Sequence, residues 1–328
     1  MSKTNPLSDL IENGIKNLNI PERPISLYEP VRYTLNLGGK RLRPQLVLMG
    51  AGLCGGDPEK ALPAALAVEL LHNFSLIHDD IMDKADSRRG KPSVHTKWDE
   101  NTAILSGDVM FTIAYEQLEY YAVQNGFPPE TLSTVFKIFN KSVKTICEGQ
   151  ALDMEFETSL SVTLEEYIHM ISCKTAALLE SSLLMGGVIA GADEEALQKL
   201  ATIGMESGIG FQIQDDLLDA IGDPDKFGKR KGGDIYEGKK TFLSILALER
   251  AEGDQKTKLS SILQNPNCTE SDVAYVIELF EQLGVISDAQ EAIKNRYIKG
   301  LHALSFFNDS PYKSALINLL DKLTAREY

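Results

Sequence analysis

Apolar residues recur at intervals of three and four along almost the whole chain, and nowhere does a convincing alternation of apolar and polar residues set in. A helix brings residues three and four apart onto one face, whereas a strand sends neighbours to opposite faces. The spacing therefore commits the chain to helices packed on helices. It runs over Ala61–Met82, Ala103–Tyr121, Thr131–Phe156, Leu164–Ala190, Glu194–Ile221, Thr241–Glu252, Ser271–Phe280 and Val285–Phe306. Turn residues punctuate it, as at Gly55-Gly56-Asp57-Pro58, Arg89-Gly90-Lys91-Pro92, Gly222-Asp223-Pro224 and Asn265-Pro266-Asn267. No low-complexity linker divides the chain and no repeat of solenoid length is visible. The expectation is an all-α protein, a single bundle-like domain over residues 1–328 with about ten or more helices.

Two copies of one acidic pattern stand far apart: Asp79-Asp80-Ile81-Met82-Asp83 and Asp215-Asp216-Leu217-Leu218-Asp219. At about 100° per residue, the first and last aspartates of each copy lie one turn apart and roughly 40° around the axis, so their carboxylates share a face and repel. A cation between them turns repulsion into attraction, and hard divalent ions such as Mg2+ take such oxygen ligands. One such cluster is as readily a solvated helix face. Two, each behind an apolar run, point to opposing helices that share metal ions around an anionic ligand.

The formal net charge of −14 argues against nucleic acid as a partner. It also repels diphosphates at long range, so bridging metals or local basic patches are needed. Basic residues do cluster beside the acids: Gly38-Gly39-Lys40-Arg41-Leu42-Arg43-Pro44, then Arg88-Arg89-Gly90, then Gly228-Lys229-Arg230-Lys231-Gly232-Gly233 with Gly238-Lys239-Lys240. Arginine offers a planar fork to phosphate oxygens, lysine a point charge, and glycine a close backbone approach. Cys54, Cys147, Cys173 and Cys268 stand singly, as reduced thiols would in a cytosolic protein. No secretory signal is expected, and no apolar run reaches about 18 residues, so no transmembrane helix is expected either. A calcium loop over residues 223–234 fails at Phe227 and Asp234, where oxygen and bidentate glutamate ligands belong. The histidines lack zinc spacing; His72, two turns before Asp79 on the same face, fits a hydrogen-bonding role.

The ordered series GGKRLRP at Gly38–Pro44, HNFSLIHDDIMD at His72–Asp83, RRG at Arg88–Gly90, GQALD at Gly149–Asp153, KT at Lys174–Thr175, GFQIQDDLLD at Gly210–Asp219, and the GKRKGGD and GKKT stretches after it, resembles the trans-isoprenyl diphosphate synthases. The resemblance implies a helical bundle around a deep central cavity, a homodimer, and Mg2+-dependent head-to-tail joining of isopentenyl diphosphate to an allylic diphosphate. It implies about three Mg2+ ions in each site, held by Asp79, Asp83 and Asp215 with Asp80, Asp216 and Asp219 in support. Lys40, Arg43, His72 and Arg89 match positions that hold isopentenyl diphosphate. Arg88, Lys174, Thr175, Gln212, Lys229 and Lys239 match those that hold the allylic diphosphate, and Gln150 and Asp153 match a further polar motif. Asp79, Asp83, Lys174 and Asp215 are the residues expected to carry catalysis.

Just before the first motif, bulky Phe74 and small Ser75 resemble the chain-length positions of archaeal short-chain enzymes that make geranylgeranyl diphosphate. A helical wheel puts Ser75 near the Asp79 face and Phe74 roughly 140° away, so geometry alone does not make Phe74 the floor. Farnesyl diphosphate or a longer product is the alternative. A terpene cyclase needs one diphosphate only, which Lys40, Arg43 and Arg89 count against. A regulatory subunit would be expected to have lost one aspartate motif, and both are intact. The ending Thr324-Ala325-Arg326-Glu327-Tyr328 lacks the basic tail that covers the second diphosphate in farnesyl synthases of this kind.

Overall fold

The computed structural model describes residues 6–159, 161–222, 231–265 and 267–324. They run through α1 (Pro6–Lys16), α2 (Ile25–Asn36), α3 (Leu42–Leu53), α4 (Pro58–Met82), a hairpin of β1 (Ser87–Arg88) and β2 (Lys91–Pro92), α5 (Val94–Lys97), α6 (Glu100–Leu118) and α7 (Pro129–Thr158). After these come α8 (Leu164–Ile171), a π-helical turn (Ser172–Ala176), α9 (Ala177–Ile189) and α10 (Glu194–Ile221). The chain ends with α11 (Gly233–Tyr236), α12 (Phe242–Arg250), α13 (Gly253–Leu263), α14 (Glu270–Gln282), α15 (Val285–Leu304) and α16 (Pro311–Thr324). The expectation of an all-α fold holds, with one antiparallel hairpin as the sole sheet among the described residues. Two compact units divide the chain: Met1–Val143 with Ser181–Gln198, and Lys144–Glu180 with Lys199–Tyr328.

The first unit is organised on α4, which packs against α3 and α6. Asp57 caps α4 by accepting from Glu59 N at 3.0 Å, and Pro58 supplies a first-turn residue without an N–H to satisfy. Ala61, Ala64, Ala65, Ala67 and Val68 are wholly buried, so small side chains let neighbouring helices approach on every side. By length and composition α4 would cross a membrane, yet 61% of its most apolar window is buried within the protein, as in a core helix. No other described helix meets that test.

The second unit has its own core, where Tyr167, Ile213, Leu217, Phe242, Val276 and Phe280 meet. Threonines start three of its helices with reciprocal capping boxes: Thr163 with Glu166, Thr241 with Ser244, and Thr269 with Asp272. Two spans of apolar periodicity cover more than one helical form. The run Leu164–Ala190 is interrupted by the π-helical turn, and the run Ala103–Tyr121 leaves α-helix after Leu118 for a 3-10 turn at Glu119–Tyr121. In both places the apolar spacing survives a change in the hydrogen-bond step that periodicity cannot register. Cys54, Cys147, Cys173 and Cys268 are free thiols.

Candidate active site

The first acidic motif closes α4. Asp80 is buried and saturated: Arg88 Nε donates to its two oxygens at 2.8 and 3.0 Å, and Arg88 Nη2 donates at 2.6 Å. Asp79 is partly exposed and Asp83 exposed, and Asp83 N donates to Asp79 O at 2.8 Å as the last turn ends. Helix C-termini carry partial negative charge, so acidic groups here add to an unfavourable field until a cation arrives. Asp215 and Asp219 lie inside the last two turns of α10, which runs on to Ile221, and both are partly exposed.

Around the first motif gathers a basic set. Arg43 Nη1 donates to His72 Nε2 at 3.1 Å. Burial, then Arg43, Arg89, Arg88 and Arg41, push the His72 pKa well below its ordinary 6.5. The ring is therefore neutral, and because arginine only donates, Nε2 accepts and the ring proton sits on Nδ1. Arg89 donates to Gly38 O. A β-carbon on Gly39 would fall 2.9 Å from the Arg89 guanidinium, which would have to shift, and Gly39 itself has φ 142°, a conformation side chains rarely adopt. Lys40 is exposed beside them. Ser75 turns its hydroxyl back to His72 O at 2.9 Å. Phe74 packs between His78 and Phe111, with ring centroids 4.6 and 5.2 Å away, and Phe111 stacks in turn on Phe139.

In the second unit a cleft of about 140 Å3 is lined by Asp153, Tyr167, Lys174, Thr175, Gln212, Asp216, Asp234, Lys239 and Lys240, with Met170, Ile171 and Thr241. The π-helical turn supplies Lys174 and Thr175: Lys174 Nζ pairs with Asp153, and Thr175 Oγ1 donates to Gln212 Oε1 at 3.0 Å. Gln212 Nε2 passes the network on to Asp216 Oδ1 at 3.1 Å. Asp216 also accepts from the Tyr167 hydroxyl at 2.5 Å and from Phe242 N, in the first turn of α12, at 3.2 Å. Burial pushes its pKa up to about 6, helped by Asp215 and opposed by the hydrogen bonds of Tyr167, Gln212 and Phe242. Asp219 accepts from Asp234 N at 2.8 Å. Burial works against the Lys239 charge, but Glu237 at 2.8 Å and Asp234 outweigh it, and the amine is held protonated. Gln150 is buried in α7, one turn before Asp153. Lys229 lies outside the described residues.

Arg43, His72, Arg88, Arg89, Lys174, Thr175, Gln212 and Lys239 are the expected site residues, and the structure sets beside them neighbours that the sequence did not single out. Tyr167, on an ordinary-looking amphipathic helix, gives no sign of its buried bond to an aspartate 49 residues on. Asp234 was within reach, since it closes the GKRKGGD stretch.

The donor set suits a hard cation. Among the described residues no three or more His, Cys, Asp or Glu side chains converge as a metal cage. Mg2+ seldom needs one: it binds through one or two carboxylates and completes its shell with water and substrate phosphate oxygens. Asp79 with Asp83, and Asp215, fit that habit, while Asp80 and Asp216 are held by Arg88 and by Tyr167 with Gln212.

A nearly all-helical fold with aspartates near the C-terminal ends of two helices, and arginines or lysines nearby, fits the class of helical isoprenoid synthases. The sequence model of the polyprenyl synthetase family matches residues 24–280, and the chain belongs to that family. It is 38% identical over 321 residues to a short chain isoprenyl diphosphate synthase of Methanothermobacter thermautotrophicus, covering 98% of this chain and 97% of the relative. It is 45% identical over 257 residues to a geranylgeranyl diphosphate synthase of Saccharolobus solfataricus, covering 78% of this chain and 77% of the relative. The crystal structure of geranylgeranyl pyrophosphate synthetase from Pyrococcus horikoshii superposes with a TM-score of 0.91 at 42% identity, over 98% of this chain and 96% of that one.

Proposed function

We propose that the chain condenses isopentenyl diphosphate head to tail with allylic diphosphates and stops at geranylgeranyl diphosphate. One observation carries the reading: each acidic helix end has its own basic set. Arg43, Arg88, Arg89 and the neutral His72 accompany Asp79–Asp83, and Lys174, Lys239, Thr175 and Gln212 accompany Asp215–Asp219. Two cation sets suit two diphosphates, with Arg88, the member tied to Asp80, serving the allylic one. Lys40, Arg43, His72 and Arg89 hold isopentenyl diphosphate, and Arg88, Lys174, Thr175, Gln212, Lys229 and Lys239 hold the allylic one.

Asp79, Asp83 and Asp215 hold Mg2+, about three ions in all, with Asp80, Asp216 and Asp219 keeping the helix ends in shape. When bound, the metal neutralises the charge that develops on the departing diphosphate. Lys174 and Lys239 meet the same charge directly, and they do so without reorganising because Asp153 and Glu237 already hold them in place. His72, neutral with its proton on Nδ1, adds no charge to a crowded cationic cradle. Apolar walls keep water from the allylic cation, and the double bond of isopentenyl diphosphate attacks it. The released diphosphate takes the proton that is then lost.

Phe74, braced by Phe111 and His78, stops the growing chain, while Ser75 leaves room on the aspartate side. The name of the Saccharolobus relative supports geranylgeranyl diphosphate as the end point. Residues 1–328 act as one catalytic domain, as a homodimer in the cytoplasm, in keeping with free thiols and a buried α4.

The test is incubation of the purified chain with radiolabelled isopentenyl diphosphate, Mg2+ and dimethylallyl, geranyl or farnesyl diphosphate, followed by chromatography by chain length. An acid-labile geranylgeranyl product is expected. No product with any primer overturns the reaction; a dominant farnesyl or longer product overturns the end point alone.

A further inference from the structure

The basic residues of Lys40-Arg41-Leu42-Arg43 divide sharply by environment. Lys40 is exposed and Arg43 reaches His72, but Arg41 is only 5% exposed and turned into the protein. All three of its guanidinium nitrogens are committed: Nε donates to Glu12 Oε1 at 2.9 Å, Nη1 to Glu69 Oε1 at 2.7 Å, and Nη2 to Leu35 O at 2.7 Å. Glu69 is 3% exposed, and its Oε1 also accepts from Asn73 Nδ2 at 3.0 Å.

We propose that Arg41 is a positioning residue: with Glu69 it fixes the loop of residues 38–43 so that Lys40, Arg43 and Arg89 can grip a diphosphate that Arg41 itself never touches. The inference rests on the reading of those residues as the isopentenyl diphosphate cradle.

The backbone says what must be held. Arg41 has φ 46°, a left-handed conformation that a side chain adopts only when its surroundings impose it. Gln45, itself buried, clamps the same stretch by donating from Nε2 to Lys40 O at 2.8 Å and Arg41 O at 3.1 Å. The preceding Gly38 carbonyl is the acceptor for Arg89. Glu69 sits on α4 three residues before His72, and Arg41 two residues before Arg43. The loop is thus pinned to α4 twice, by a buried ion pair at Arg41 and by the Arg43 to His72 bond. Release of the first pin lets the left-handed turn relax, and the Gly38 carbonyl and Arg43 lose their register with Arg89 and His72. Lysine cannot replace the arginine, since one ammonium does not span acceptors lying in three directions.

The experiment compares wild type with Arg41→Lys and Glu69→Gln, reading both KM values, kcat, and calorimetric binding of isopentenyl diphosphate and of inorganic diphosphate. Arg41→Lys should raise KM for isopentenyl diphosphate about tenfold to a hundredfold, a loss typical of misplaced binding groups. KM for the allylic substrate should stay within about twofold, since Arg88 is held by Asp80 and not by this loop, and Lys174, Thr175, Gln212 and Lys239 belong to the second unit. Glu69→Gln separates the rivals: positioning weakens diphosphate binding, whereas an Arg41 that binds ligand directly would bind tighter once freed of Glu69. Tighter binding, or unchanged KM values in Arg41→Lys, overturns the proposal. Should these variants unfold, Glu12→Ala removes the one bond whose partner is 41% exposed and should show the same selectivity at smaller size; identity with wild type overturns the proposal equally. A wild type that binds diphosphate but condenses nothing sinks the reaction and leaves the loop inference to be judged on binding.

Discussion

At the scale of single residues, the site depends on charges whose protonation is set by neighbours. His72 is the clearest case for a pH measurement. Its folded pKa lies below the ordinary 6.5, so the unfolded chain binds the proton more tightly. The contribution to stability is complete above about pH 6.5 and is lost as pH falls through the folded pKa. Between pH 7.5 and 5, wild type should lose more of its urea midpoint than His72→Gln does; equal losses would show that the ring is not held neutral. Tyr167→Phe removes a donor from the buried Asp216 carboxylate and should cost about 1–3 kcal/mol in urea unfolding. A cost near zero would mean that water replaces the hydroxyl. The two residues differ in how far sequence exposes them. His72 was legible because it stands a fixed number of helical steps from Asp79, whereas Tyr167 meets Asp216 only through packing of helices distant in sequence.

At the scale of elements, most helices were legible because apolar periodicity is a property of the segment itself. The expected runs at Glu194–Ile221 and Ser271–Phe280 match α10 and α14 to within two residues at each end. What escaped was the π-helical turn at Ser172–Ala176, which depends on a neighbour rather than on its own sequence. A β-carbon on Gly149 would lie 2.3 Å from Lys174 N, so α7 approaches that turn as only glycine permits. Extra volume against backbone cannot be relieved by a side-chain rotation. Gly149→Ala should therefore cost about 1–3 kcal/mol of stability and lower turnover by shifting Lys174, with a larger loss of activity than of far-ultraviolet dichroism. Wild-type stability together with wild-type turnover would mean that the turn is held by other contacts. The short hairpin carrying Arg88 and Arg89 escaped for another reason: two-residue strands have no periodicity to read.

At the scale of the whole molecule, a chain of net charge −14 has to bind polyanionic ligands, which makes the cations it recruits decisive. Asp79→Ala and Asp215→Ala should each lower turnover about a hundredfold or more while leaving the helical dichroism signal in place, because several kcal/mol of charge neutralisation is lost from the transition state. Loss of helicity in both would make the acids structural. The manner of metal binding is testable apart from turnover. With no cage of three or more His, Cys, Asp or Glu side chains among the described residues, the protein alone offers Mg2+ an incomplete shell. Ligand-linked stabilisation grows as the logarithm of concentration over Kd, so weakly held Mg2+ at millimolar levels should move the melting temperature by less than about 2 °C. Inorganic diphosphate without metal meets the long-range repulsion of the chain and should also do little. Added together they complete the coordination and neutralise each other, so the shift from the pair should exceed the sum of the two separate shifts. A large shift from Mg2+ alone would reveal a preassembled cage, and strictly additive shifts would mean that metal and diphosphate bind independently, against the arrangement in which these aspartates grip diphosphate through the ion.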